Sequence, residues 1–402
     1  MHDSSLISLI VFIISGLVSL NALSYYSERL MLFPNIIWVL CLGMVYGAMN
    51  HFDIIELPEL YLDPNIILFG LVPVLIFAAA KKMCLHHFYS VLKNSTILAT
   101  LGIIISMIGV ASVLFLVFNV PFLESLLFGV IVSATDPIAV SAILHDAKDL
   151  SIERKMLIEG ESILNDGFVV AVFSTLSIMI FGAEDISLLL SGGKLVVNIL
   201  SAILLGIILG RLARFLLRVW KNSAPSLTIN ITLALAFSSF LVAETFHLPG
   251  VLAVFAGALA FGYRPDEDNE IAKSGQEQVW DYLEYIVNSI LFFLLGASFF
   301  SQVSIEIITF TFIVIAVVVL FVSRLVALSI LSPFLLIEGK RVSLQDFWLL
   351  NFSGSRGAIS IALILLLPND FVYKSLFLTM AFIMVIVSLV VYPVLLKRVL
   401  DA

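Results

Sequence analysis

Apolar runs of about 20 residues recur along the whole of this 402-residue chain, and they leave its backbone very few ways to fold. Hydrocarbon offers no water to N–H and C=O groups. Each run must therefore satisfy them internally as a helix, or pair them in a closed barrel. No stretch alternates apolar and polar residues with the two-residue period of a membrane barrel. An all-α polytopic membrane protein is expected. Composition agrees, with 61% hydrophobic and 12% charged residues, against roughly 45–50% and about 25% in soluble domains. Membrane lipid is the partner this implies. A net charge of −8 argues against nucleic acid. Cys41 and Cys84 fall in or beside apolar runs and read as packing residues, not a disulfide or metal pair.

Thirteen spans are expected, at about 5–22, 30–49, 64–80, 95–118, 122–145, 155–181, 193–219, 226–245, 248–263, 279–300, 304–331, 344–367 and 372–397. Met1-His2-Asp3 lacks the basic start of a signal peptide, so the first run reads as a retained span. The division at His247-Leu248-Pro249-Gly250 has one long bent helix as its alternative. With the N-terminus outside and the C-terminus cytoplasmic, Lys and Arg concentrate on the inner side. Lys194 and Lys374 fall outside, while Arg324 and Arg356 lie within spans. The polar stretch 263–278 reads as a plain connector. Residues 1–402 are expected to form a single transmembrane domain with no soluble regulatory domain.

Two acids sit in these apolar surroundings. Asp166 ends Glu159-Gly160-Glu161-Ser162-Ile163-Leu164-Asn165-Asp166, and Asp136 lies in Ser133-Ala134-Thr135-Asp136-Pro137. A carboxylate in a span costs roughly 2.5–3.5 kcal/mol, so each reads first as an ion or proton site. Pro137 removes a backbone donor and pushes Asp136 out of helical geometry, which frees carbonyls near Thr135. Span twelve carries Ser353-Gly354-Ser355-Arg356-Gly357, a run of poor helix formers. Spans one to six and eight to thirteen form two sets, and the interrupted span is fifth in each. One linking span between them makes the sets inverted repeats with interrupted crossing helices 5 and 12, which points to a transporter's ion site.

Ala134-Thr135-Asp136-Pro137-Ile138-Ala139-Val140, Gly160-Glu161-Ser162-Ile163-Leu164-Asn165-Asp166 and Arg356-Gly357-Ala358-Ile359 together resemble the sodium/proton exchanger branch of the monovalent cation/proton antiporter superfamily. The doubled acid of Glu159-Gly160-Glu161 is similar to the plant-type and sperm-type exchangers. The resemblance implies a homodimer. Spans 1–3 and 7–10 (about 5–80 and 193–300) would form the dimerisation layer. Spans 4–6 and 11–13 (about 95–181 and 304–397) would form the core layer that carries the ion by alternating access. It also implies an ion pair between Glu161 and Arg324, with snorkelling of Arg324 to the interface as the alternative.

Ser162 and Asp166 share one helix face, and Glu161 and Asn165 make the neighbouring pair. Asp166 is expected to hold a cation or a proton. The Ser162 hydroxyl and the Thr135 carbonyl would complete an oxygen shell for sodium. Asp136 would add charge through water, and Asn165 would bond the broken backbone. Arg356 would compensate helix-end charge and Asp136, or serve structure alone. Glu159 reads as a cavity-mouth acid or a helix N-terminal acid. His86, His87 and His145 read as solvated residues of inner loops. No cofactor and no enzymatic role are expected, since protease signatures are absent.

Exchange would follow from one carboxyl group that cannot hold both proton and cation. The expected function is secondary active exchange of sodium for protons in a plasma or inner membrane. Asn165, where charge-moving relatives have a second aspartate, favours an electroneutral one-for-one exchange. Ala78 stands where family members usually carry an acid, which leaves lithium or potassium open as cations. An ion-binding sensor or an uncoupled channel on the same fold is the alternative.

Overall fold

The computed structural model describes residues 34–54, 62–83, 85–136, 149–182, 188–220, 225–262 and 270–401, with single positions between them. Most of the first expected span, Cys84, Pro137, His145 and residues 263–269 lie outside the described residues, as does the side chain of His86.

The described chain is built almost wholly of helices. In order they are α1 (Asn35–His51), α2 (Val72–Lys82), α3 (Leu85–Ile97), α4 (Ile103–Phe118), α5 (Phe122–Ser133) and α6 (Ile152–Phe181). There follow α7 (Leu188–Val219), α8 (Pro225–Thr245), α9 (Gly250–Gly262), α10 (Glu270–Ala297), the single turn α11 (Phe299–Gln302) and α12 (Phe310–Leu331). The last three are α13 (Leu344–Phe352), α14 (Ala358–Leu365) and α15 (Lys374–Leu400). The β structure among the described residues is one small hairpin, β1 (Leu336–Ile337) with β2 (Lys340–Arg341). Among the described residues, seven helices are long and apolar enough to cross a membrane. The chain is a multi-span integral membrane protein of the all-α class.

The turn at 246–249 divides α8 from α9, with His247 in the left-handed region at φ 56°. Glu244 Oε1 accepts the Gly250 N–H at 3.2 Å and caps the new helix. The long-helix alternative is therefore not the one taken.

Several boundaries differ from expectation for physical reasons. Span four does not begin near residue 95. Its helix starts at Leu85 and runs through a π-helical turn, Leu98–Gly102, into α4. Phe88 and Val91 are buried while Tyr89 and Ser90 are exposed, so the added turns are amphipathic, and their polar face reads as loop. His87 is accordingly on a helix. Another π-helical turn, Ile66–Leu71, leads into α2. Pro73 follows it, and its missing N–H disturbs the ladder there. The connector also ends early, because α10 already begins at Glu270. Its first turns are anchored where Gln276 Nε2 and Trp280 Nε1 donate to Thr232 Oγ1 at 3.5 and 3.0 Å. Cys41 is exposed on α1, so it does not pack the interior.

Small residues bring certain helices into backbone contact, as membrane helices require. A Cβ on Gly43 or Gly47 of α1 would strike the backbone of Phe293 or Ala297 on α10. Gly206 and Gly210 of α7 meet Ala253 and Gly257 of α9 in the same way. Gly160 and Gly167 seat α6 between α3 and α9, against Phe88 and Leu252. That wedge fixes the helix on which Asp166 stands.

Candidate ion site

Two chain breaks meet in the interior. α5 stops at Ser133, and residues 134–136 leave helical geometry, as expected of residues leading into a proline. They run beside the break at 353–357 that separates α13 from α14. The Asp136 N–H donates to the Ser355 carbonyl at 2.6 Å, and the Ser355 hydroxyl donates back to the Asp136 carbonyl. Each break thus supplies partners that the other lost, which is how unwound backbone survives at this depth.

The exposed helix ends meet opposite charges. Arg356 Nη1 donates to the carbonyls of Ser133 and Ala134 at 2.7 and 3.1 Å, at the negative end of α5. At the positive end of α14, a Cβ on Gly357 would collide with the Asp136 carboxyl group. The Asp136 carboxylate therefore lies against the N-cap of that half-helix, where free N–H groups favour an anion. Lys374 Nζ closes the other end of α14, donating to the carbonyls of Leu365 (3.1 Å) and Leu367 and to Asn369 Oδ1 (2.9 Å). The Arg356 N–H donates to Ser388 Oγ at 2.9 Å and the Ser360 hydroxyl to the Ile131 carbonyl at 2.8 Å. Gly357→Ala is expected to displace Asp136 and slow transport, at an overpacking cost of about 1–3 kcal/mol. Exchange rates compared at equal folded protein check this.

α6 lies beside the crossing. The Ser162 hydroxyl donates to the Thr135 carbonyl at 2.5 Å, and Asn165 Nδ2 donates to Thr135 Oγ1 at 2.8 Å. Asn165 thus reaches the threonine side chain, not the broken backbone. Asp166 stands one turn beyond Ser162 on the same face. Like Asn165, it is buried. No hydrogen bond or ion pair reaches its carboxylate among the described residues, and the charged group that acts on it is Asp136. The structure thus joins the Thr135 carbonyl to the Ser162 hydroxyl on the helix that also carries Asp166, and oxygen groups of these kinds suit a hard cation. No group of three His, Cys, Asp or Glu side chains is placed to hold a metal among the described residues.

Glu161 faces away from this set toward α12. Arg324 Nη2 donates to Glu161 Oε2 at 3.0 Å, and Nη1 donates to Oε1. The same Nη2 reaches the Leu350 carbonyl of α13 at 3.0 Å. Both residues are buried, so Arg324 does not run to the interface. Ala78 is buried as well and offers no side-chain oxygen.

Sequence reasoning missed Ser355, Ser360 and Ser388, whose hydroxyls fasten the crossing, and the Leu350 carbonyl. A hydroxyl inside an apolar helix usually bonds its own previous turn and leaves no periodic trace.

Comparison with known proteins decides the family. The model described as sodium/hydrogen exchanger, transmembrane, matches residues 12–402. The chain belongs to this family. Among the family's curated members, the Na(+)/H(+) antiporter NhaH of Halobacillus aidingensis is 30% identical over 380 residues, covering 91% of each chain. Sodium/hydrogen exchanger 8 of Arabidopsis thaliana is 26% identical and covers 90% of this chain and 50% of the plant protein. The solved sodium proton antiporter MjNhaP1 of Methanocaldococcus jannaschii superposes with a TM-score of 0.76 at 19% identity, over 98% of this chain and 96% of that one. That structure supports the shared exchanger fold.

Proposed function

We propose that this chain exchanges sodium for protons, with the Asp166 carboxylate carrying either one in turn. The observation that carries this reading is the convergence of the Thr135 carbonyl and the Ser162 hydroxyl on the α6 face that bears Asp166. A broken backbone at that depth is costly, and coordination of a bare cation gives it a use. Family membership and the names of the relatives point the same way.

The finer reading follows from charge. With Glu161 bound by Arg324, Asp166 is the group left to take the proton. Asn165 adds no second charge, so one sodium replaces one proton without net charge movement. Asp136 stays at the N-terminus of α14 and lowers the cost of bringing in a cation. Thirteen crossings in two inverted sets, with the N-terminus outside and the C-terminus cytoplasmic, complete the reading. Residues of about 95–181 and 304–397 carry the ion against a dimerisation layer of about 5–80 and 193–300.

Purified protein in vesicles with a trapped pH dye tests it. Sodium added outside is expected to drive protons out of step with any imposed voltage. A rate that rises steeply with voltage contradicts the electroneutral form. Proton flux that ignores sodium contradicts exchange itself. Lithium and potassium in the same assay give the cation preference left open by Ala78.

A further inference from the structure

A second polar contact joins the ion-bearing helix to the broken one, well away from Asp166. Arg154 stands in the first turn of α6. Its Nε donates to Asp346 Oδ1 at 2.7 Å, and its Nη1 donates to Glu338 Oε1 at 2.9 Å and to Ser151 Oγ at 3.1 Å. Asp346 stands in the first turn of α13 and is buried. Its other oxygen, Oδ2, accepts the Ser343 N–H at 3.1 Å and the Ser343 hydroxyl at 2.6 Å, forming the capping box that starts α13. One carboxylate therefore starts one helix and binds the start of another.

The hairpin closes over this contact. Glu338 and Gly339 take φ 52° and 72°, the left-handed pair of a tight two-residue turn, and so Glu338 is held toward Arg154. Asn94 Nδ2 of α3 donates to the Leu336 carbonyl at 2.6 Å and ties the hairpin down. The Ser151 hydroxyl and the Arg154 guanidinium hold the Glu338 carboxyl below the usual carboxylate range. A lowered value means that its bonds are present at neutral pH and lost only as acid brings the pH down through it.

α6 and α13 are thus pinned at two levels. The lower rung is Arg154 to Asp346. The upper rung runs from Glu161 through Arg324 to the Leu350 carbonyl. The rungs stand about 10 Å apart along α6 and about 6 Å apart along α13, from a rise of about 1.5 Å per residue. One rung alone leaves each helix free to rotate about the contact. Two rungs fix both the rotation and the sliding of α6 against the helix that leads into the break.

We propose that Arg154 is a positioning residue for the exchange reaction, holding the Ser162–Asp166 face of α6 in register with the chain break. The inference rests on the reading of Asp166 as the ion carrier. It names Arg154, which touches neither ion, as a determinant of apparent cation affinity. Arg suits the task better than Lys because its planar fork meets two carboxylates at once, whereas an ammonium acts as a single point.

The test uses the full chain in pH-dye vesicles. Sodium-driven proton movement by the unsubstituted protein is measured first, so that failure of the exchange reading is seen separately. Arg154→Gln and Asp346→Asn are each expected to raise the apparent KM for sodium roughly tenfold, as small displacements of reacting groups do. The two together are expected to do no more than either alone, because they remove the same contact. Arg154→Lys is expected to recover part of the loss. The KM reads folded, working protein only, so reduced yield does not imitate the effect. KM and pH profile at unsubstituted values, with only the maximum rate following folded protein, overturn the inference. So do effects that multiply in the double variant.

Discussion

Asp166→Asn is expected to stop sodium-driven proton movement, with the rate falling by about a hundredfold or more. The amide keeps the shape and one oxygen of the carboxylate but cannot take up or release a proton at working pH. Coupling requires one group to bind either ion and never both, and the amide fails on the proton side. The variant is expected to fold as well as the parent. The Asp166 carboxylate makes no hydrogen bond among the described residues, so the substitution breaks no partner's bond and removes a buried charge. Equal or higher thermal stability together with lost exchange is the expected pair of results. Sodium-driven proton movement that survives in Asp166→Asn removes the carrier from the mechanism. Asp166→Glu sharpens the test. It keeps the titrating group but extends it by one methylene and so shifts it relative to the Thr135 carbonyl and the Ser162 hydroxyl. Partial exchange with a changed sodium KM is expected there.

The sequence carried the site further than it carried the fold around it. Asp136-Pro137 and the glycines at 354 and 357 announce both interruptions, because proline and glycine act on the backbone locally. Ser162 and Asp166 fall on one face by helical spacing alone. The pairing of Glu161 with Arg324 was different, since 163 residues separate them. Only the family resemblance suggested it, and the buried geometry was needed to set aside the snorkelling alternative. Arg154 and Asp346 are 192 residues apart, and each looks like an ordinary acid or base near a helix start. The capping box Ser343-x-x-Asp346 was legible in principle, but nothing local says that Asp346 has a second oxygen to give. The π-helical turns and the early start of α3 were hidden for another reason. Apolar runs mark where hydrocarbon lies, whereas α3 extends beyond that run with one buried stripe and one wet one.

The Glu161–Arg324 pair carries the largest expected effect on stability. Arg324→Leu leaves the Glu161 carboxylate buried without its partner and is expected to cost about 3–5 kcal/mol, seen as a fall in the thermal transition of the purified protein. Glu161→Leu is expected to cost a similar amount, since among the described residues the guanidinium then donates only to the Leu350 carbonyl. The informative variant is the double one. Replacing both charges with leucine leaves no unpaired ion, and buried pairs exchanged for apolar residues of similar size are often neutral or better. The Leu350 carbonyl loses the Arg324 guanidinium but keeps the Ser353 hydroxyl, which donates to it at 3.1 Å. The double variant is therefore expected to be more stable than either single one, and a transition as low as the sum of the two losses shows that the pair is not energetically coupled. Transport by the double variant then separates two roles. If Glu161 serves only to hold Arg324 of α12 against α13, the double variant keeps an exchange that does not respond to voltage, with an altered sodium KM from the lost upper rung. If Glu161 itself takes a proton during the cycle, its loss changes the number of protons moved per sodium, and the one-for-one exchange assigned to Asp166 alone is wrong.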